Sequence, residues 1–346
     1  SQNTPLNAVG WTPVFDASRL GIQHGLGNLW IKDESRNPTG SFKDRASAVV
    51  VTRASEIKTD RIVTASTGNA GAALAGMAAA ADQKAVIFAP KTAPPAKIAQ
   101  LLVYNAMVFL VDGTYDDAFD LTIQAADEFG WYCRNTGYNP FTVEGKKTAA
   151  FEIWEWSLGE KSWHASRNEM PAIFVSVGDG NIITGIHKGY KDLVSLGWID
   201  SAPRIFGVQA EGSAAVANAF QNQSDRVTPV SAHTIADSIS VDLPRDGVRA
   251  LRAVRETGGT YLTVSDSEIL SAIKELGEIG IFAEPAGAAA YAGVLKAASL
   301  GSIKPDTPTL AMNTGNGLKD IKAAVQSVDE APIIEPTLVA LKQALG

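Results

Sequence analysis

Asn37-Pro38-Thr39-Gly40-Ser41-Phe42-Lys43-Asp44-Arg45 is the stretch on which the reading of this chain turns. Its first four residues have turn chemistry: Pro38 presets φ, and Gly40 accepts backbone angles that other residues refuse. The run from Lys43 through Ala46, Ala48 and Val51 then reads as helix, which puts Lys43 where a bend meets a helix start. A lysine there lies near the positive end of a helix dipole, and burial would strip water from its ammonium group. Both effects favour the neutral amine, the form that attacks a carbonyl carbon. A Schiff-base lysine needs that form. A surface lysine in the first turn of an ordinary helix would carry the same local pattern, so the rest of the chain has to supply the other parts of a site.

Outward from that stretch, short β-branched runs alternate with helical patterns. Segments 61–65, 85–89, 107–111 and 131–133 read as strands, with helices at 70–81, 96–104 and 116–129 between them. Short connections between strand, helix and strand imply parallel pairing by right-handed crossovers, buried on both faces. A second alternating block follows the helical stretch 144–156. Its strands are expected at 172–176, 204–208, 260–264 and 309–312, and its helices at 182–196, 213–221, 266–276, 285–300 and 318–328. The fold class is therefore α/β: two open, mostly parallel sheets with flanking helices and an active site in the cleft between them, where open α/β folds bind ligands. Because the lysine motif precedes the first block, residues 1–50 are expected to join 143–346 in a large cofactor-binding domain. Residues 51–142 would form the small α/β domain.

Composition narrows the function classes. The 346 residues are 45% hydrophobic and 19% charged, which suits substantial cores and argues against disorder. A net charge of -7, from 37 acidic and 30 basic residues, offers no broad positive footprint, so nucleic acid is set aside. Cys133 is the only cysteine, which excludes a disulfide framework and makes a reducing cytoplasm the expected location. His24, His164, His187 and His233 show no metal-ligand spacing, so no metal is expected. No apolar run approaches the ~18 residues of a membrane span. Ser1-Gln2-Asn3-Thr4-Pro5 does not read as a secretory signal.

Three further glycine-marked turns fall at expected strand-helix junctions. Ser66-Thr67-Gly68-Asn69 can cradle an anion on successive backbone N–H groups, and a substrate carboxylate suits it. A plain turn capped by Ser66 or Asn69 is the alternative. Gly178, Asp179, Gly180, Asn181 and Ile182 follow an apolar strand in the manner of a phosphate-binding loop, without the dinucleotide or P-loop spacing. The Asp179 carboxylate would repel a phosphate there unless it points away or is compensated, for instance by His187 or Lys188. Thr314, in Asn313-Thr314-Gly315-Asn316-Gly317, offers an uncharged hydroxyl to a ring nitrogen, or else an ordinary N-cap.

With these residues in view, the chain resembles the pyridoxal-phosphate enzymes of fold type II, the tryptophan synthase β-like fold, and within them is most similar to the threonine synthases. The lysine motif and Ser66-Thr67-Gly68-Asn69 carry the resemblance. So do Glu144-Gly145-Lys146-Lys147-Thr148, Phe282-Ala283-Glu284-Pro285-Ala286 and Thr314-Gly315-Asn316-Gly317-Leu318-Lys319-Asp320, in the family's order. The resemblance implies pyridoxal 5'-phosphate held covalently by Lys43, with Phe42 packing beside it and Asn69 bonding the ring's 3'-oxygen. The loop from Gly178 through Ile182 would hold the phosphate, and Thr314 would face the pyridine nitrogen. Ser66, Thr67 and Gly68 would bind the carboxylate of an amino-acid substrate. A neutral partner for the ring nitrogen suits elimination and replacement at the β or γ carbon more than transamination. Relatives of this kind are commonly homodimers.

Departures from the family pattern bear on the substrate. Trp11 stands where a serine is usual, Asn316 where a histidine is, Asp179 where an asparagine is, and Thr142 where an arginine for the substrate phosphate is expected. Asp242 would also disfavour a phosphate, with Arg245 as a compensating charge, and Lys97 remains a candidate anion contact. The first expectation is a threonine synthase-like lyase acting on O-phosphohomoserine. The second is a dehydratase, ammonia-lyase or β-replacing enzyme for a non-phosphorylated amino acid. A non-catalytic binding module is the third, and it would have no need of Lys43.

Overall fold

The computed structural model describes residues 4–93, 95–159 and 170–345; His164 and Ser1 to Asn3 lie outside them. Among the described residues there are two sheets. The larger has the spatial order β1 (Val14–Asp16), β2 (Leu29–Asp33), β10 (Thr309–Asn313), β7 (Ala172–Ser176), β8 (Ile205–Ala210) and β9 (Tyr261–Val264). Its neighbours pair in parallel except β1 with β2. The smaller sheet, entirely parallel, runs β5 (Met107–Val111), β4 (Lys84–Pro90), β3 (Arg61–Ala65) and β6 (Tyr132–Cys133). The two expected sheets are present, and the N-terminal segment joins the larger one through β2.

Helices cover both faces of each sheet, which is why the central strands are continuous apolar runs rather than alternating ones. One face of the larger sheet carries α1 (Ser18–Gln23), α10 (Asp266–Glu278) and α11 (Pro285–Ser299). The other carries α6 (Phe141–Gly159), α7 (Asn181–Ser195), α8 (Ala215–Gln221) and α9 (Gly247–Glu256). Around the smaller sheet, α2 (Lys43–Glu56), α3 (Asn69–Ala80) and α4 (Pro95–Val103) share one core, and α5 (Tyr115–Phe129) closes the opposite face. Helices α12 (Ile321–Gln326) and α13 (Leu338–Ala344) follow the last strand. Helix α2 links the two layers: Phe42, just before it, lies in the core of the larger sheet, while Val50 and Val51 lie in that of the smaller.

Some expectations need correction. Strands β1 and β2 and helix α9 fall where none was expected, and the single helix expected over 318–328 is a 3-10 turn, Gly317–Lys319, followed by the shorter α12. The break comes at Asp320, whose side chain accepts the N–H of Ala323 and caps a new helix instead of continuing the old one. No helix among the described residues is long and apolar enough to cross a membrane.

Candidate active site

The lysine motif is held as a rigid corner by its own polar side chains. Asp44 accepts the Thr39 N–H at 2.6 Å and the Thr39 hydroxyl, which ties the turn to the first turn of α2. Gly40 sits at φ +81, a region where a Cβ is strained, and an added Cβ would also press on Lys319 Cε at 3.3 Å. Two residues past the lysine, Arg45 donates from Nε and Nη2 to Glu34 at 2.7 and 2.8 Å and from both terminal nitrogens to Glu152. Lys43 is therefore the first residue of a helix whose start is fixed from both sides.

Lys43 is half-buried as a residue, and its amine is desolvated. Burial holds its pKa below the ordinary lysine value, Glu284 and Asp179 draw it back up, and Arg134 lowers it further. The neutral amine expected from the sequence is thus favoured chiefly by loss of water.

Two distant segments are tied to this corner through the backbone, 314–316 directly and 284 by way of Gly315. Phe42 N–H donates to Thr314 O at 2.9 Å, Asn316 N–H to Gly40 O at 3.0 Å, and Glu284 N–H to Gly315 O at 3.0 Å. Thr314 is 5% exposed beside the motif. The N-cap of the following turn is Asn316, whose side chain accepts from Leu318 N–H, so the alternative reading of Thr314 as that cap is corrected. Phe42 is fully buried, with the Arg45 guanidinium 5.7 Å from its ring centroid.

Asn69 opens α3 but does not cap it. Gly68 occupies the N-cap position, with no side-chain cap bond, which corrects the capping alternative for Ser66 and Asn69. The Asn69 amide donates instead to both oxygens of Glu284, at 2.8 and 2.9 Å. This pair lines a cleft together with Thr67 and Gly68 from the smaller sheet and Lys97, Ser238 and Lys319 around its mouth. Ser66 and Thr67 are half-buried. Lys97 donates to Asp237 at 2.6 Å, so its charge is matched at the cleft edge.

The 178–182 loop leads into α7 with Gly180 at φ +86. The Thr184 N–H bonds Gly180 O at 3.1 Å, so those of Asn181, Ile182 and Ile183, at the head of the helix, have no intrahelical acceptor. Burial raises the Asp179 pKa, and its Oδ1 accepts the Arg245 N–H at 3.2 Å. Lys43, Lys146 and Arg245 are its cationic neighbours. His187 and Lys188, the compensating charges expected from the sequence, face elsewhere: His187 meets Glu256 at 3.2 Å, and Lys188 meets Glu144 and Asp192. Asp242 is also turned away, accepting the Ala232 N–H at 2.7 Å.

Lys146 stands behind the loop, fully buried, donating to the Asn181 side chain. Burial lowers its pKa well below the ordinary value, and the nearby charges of Lys43 and Arg134 add to the effect. N–H groups at a helix start with a buried lysine beside them form an anion site of the type a phosphorylated cofactor requires, and a bound phosphate would favour the charged form of that lysine. The chain's residues fit that group.

Sequence reasoning passed over four charged residues here: Glu284, Lys146, Lys319 and Arg134. The first three lay inside stretches already singled out for their resemblance, and that position was the available signal. Arg134 had none, since an arginine after a short strand reads as surface.

Comparisons with known proteins agree with this geometry. The family model for pyridoxal-phosphate dependent enzymes matches residues 6–315. The chain is 37% identical to threonine synthase of Methanocaldococcus jannaschii, over 97% of this chain and 82% of that one. It is 34% identical to threonine synthase of Mycobacterium bovis, over 99% and 91%. The solved structure of the processed form of threonine deaminase isoform 2 from Solanum lycopersicum superimposes with a TM-score of 0.76 at 25% identity, covering 90% of this chain and 81% of that one. The chain belongs to the pyridoxal-phosphate dependent enzyme family, as a lyase resembling the threonine synthases.

Proposed function

We propose that this lyase removes a leaving group from the β or γ carbon of an amino acid and that it acts as a threonine synthase, converting O-phosphohomoserine to threonine and phosphate. The observation that carries this is the desolvated Lys43 amine, in a glycine-marked corner whose backbone is bonded to the glycine-marked turn at Thr314 to Asn316 and which has Glu284 and Asp179 as charged neighbours. Similarity to threonine synthases over nearly the whole chain supports the substrate.

When bound, pyridoxal 5'-phosphate supplies the electron sink that acidifies the substrate's α carbon. Lys43 would hold the cofactor, and its Nζ, once released by the incoming substrate amine, would be the base that moves protons at the substrate's α and neighbouring carbons. Asn69, oriented by Glu284, would hold the ring's 3'-oxygen, and buried Phe42 would pack beside the cofactor. Gly178, Asp179, Gly180, Asn181 and Ile182, with Lys146 behind them, would hold the phosphate. Thr314 would offer the ring nitrogen an uncharged hydroxyl rather than a carboxylate. Ser66, Thr67 and Gly68 bind the substrate carboxylate, and Lys97 guards the cleft mouth. On resemblance alone we take the protein to be a cytoplasmic homodimer, divided between 1–50 with 143–346 and 51–142.

A second reading, a dehydratase, ammonia-lyase or β-replacing enzyme for a non-phosphorylated amino acid, has one observation in its favour. Thr142 is fully buried and spends its hydroxyl on Asn139 O at 2.7 Å, so this position offers a phosphate no charge. Product analysis across O-phosphohomoserine and β-substituted amino acids separates the two. Phosphate and threonine from O-phosphohomoserine alone support the first; ammonia or a keto acid from the other substrates supports the second. A protein that shows no visible cofactor band even with added pyridoxal 5'-phosphate would be neither.

A further inference from the structure

Two buried donors just past β6 have no acceptor among the described residues: Arg134 Nη2 and Asn135 Nδ2. Arg134 is fully buried, and its backbone N–H donates to Val63 O at 2.8 Å, which fixes it beside the middle of β3. Among the described residues its other side-chain nitrogens reach hydroxyls, Nε to Ser47 at 3.4 Å and Nη1 to Thr136 at 3.2 Å. Ser47 lies four residues beyond Lys43, on the same face of α2, so the guanidinium sits roughly one helical turn from the Lys43 position. On the other side, Asn135 Oδ1 accepts from Thr64 Oγ1 at 3.0 Å and from Ala65 N–H at 2.8 Å, immediately before the Ser66 turn. Arg134 is thus an electrostatic neighbour of the Lys43 amine, and Asn135 is bonded to the strand end that leads into the Ser66 turn.

A buried guanidinium without a bonded carboxylate is a charge the fold leaves unneutralised. Its nearest carboxylates have other work: Asp179 accepts from Arg245, and Asp44 from Thr39. Burial pushes the Arg134 pKa down to about 10, which still leaves it cationic at neutral pH. Lys146 already serves the 178–182 loop, so the cofactor phosphate does not require Arg134.

We propose that Arg134 selects the substrate: its free Nη2, with Asn135 Nδ2 as a second donor, binds an anionic group at the far end of the amino acid's side chain. The charge missing at Thr142 is thus supplied from the segment after β6 instead of from α6. The inference rests on the functional reading above and names the substrate class, amino acids with a second anion, either a phosphate ester or a carboxylate.

Two matched pairs test it on the holoenzyme: O-phosphohomoserine against homoserine, and glutamate against glutamine. Dissociation constants are read from the shift of the cofactor's visible band, with kcat and KM for whichever members turn over. The wild type should prefer the anionic member of at least one pair, and that pair identifies phosphate or carboxylate. Arg134→Gln should lower the preference about a hundredfold, carried by Kd and KM rather than kcat, and Arg134→Lys should restore part of it. Should Arg134→Gln fail to fold, Thr136→Val, which loosens the guanidinium, should still lower the preference several-fold. No preference in either pair, or a preference that survives these changes, overturns the inference. A protein with no cofactor band overturns the functional reading itself.

Discussion

Lys43 and Lys146 are both desolvated amines, but their surroundings give them different work. Lys43 has Glu284 and Asp179 as charged neighbours and opens a helix; Lys146 bonds a carboxamide at the head of another. Asp179 lies electrostatically between them and is itself protonated more readily than usual because it is buried. Asp179→Asn should tighten pyridoxal 5'-phosphate binding about tenfold, since an anion near the phosphate is removed while the Arg245 N–H keeps an acceptor. Equilibrium titration of the apoprotein checks this, and unchanged affinity would mean the carboxylate points away from the phosphate. Lys43, Asn69 and Thr314 were legible in the sequence because glycines mark the strand-helix junctions that hold them. Glu284 and Arg134 were not, because a charged side chain reads as solvated until the fold shows what surrounds it.

Among the elements, the corner before α2 is the most heavily braced. Arg45, from α2, joins Glu34, which follows β2, to Glu152 of α6, and Glu152 also takes Lys32 Nζ at 2.9 Å and the N–H groups of Trp11 and Thr12. Arg45 and Lys32 hold the Glu152 carboxyl down at about 2, against an ordinary 4.5, despite the opposing effect of burial. A depressed acid contributes stability that is complete above its unfolded value and disappears as pH falls through the folded one. That contribution is about 3 kcal/mol above pH 4.5 and declines toward pH 2, and Glu34 is depressed in the same direction. Glu152→Gln should therefore cost stability at pH 7 and progressively less toward pH 3, as read by urea unfolding. A pH-independent difference would contradict the ionic origin. The same bracing explains the strand that went unread: Leu29-Trp30-Ile31-Lys32-Asp33 ends in two charges and looks like a surface segment. It is buried along its whole length because Glu152 receives Lys32, and Asn313 and Arg36 donate to Asp33.

At the scale of the molecule, two mostly parallel sheets bring turns from distant parts of the chain to one cleft. The alternation of apolar strands with helices was enough to foresee that arrangement, since parallel strands buried on both faces carry a continuous apolar signal. Charged positions within the cleft depend on contacts between segments more than two hundred residues apart, such as Asn69 with Glu284, which no local pattern encodes. The central claim is that Lys43, rather than the more deeply buried Lys146, carries the cofactor. Borohydride trapping of the holoprotein followed by peptide mapping tests it directly. The pyridoxyl group should be found on the peptide containing Lys43, and Lys43→Ala should lose both the visible band and turnover. A label on Lys146, or a Lys43→Ala variant that keeps its band and its activity, would contradict it.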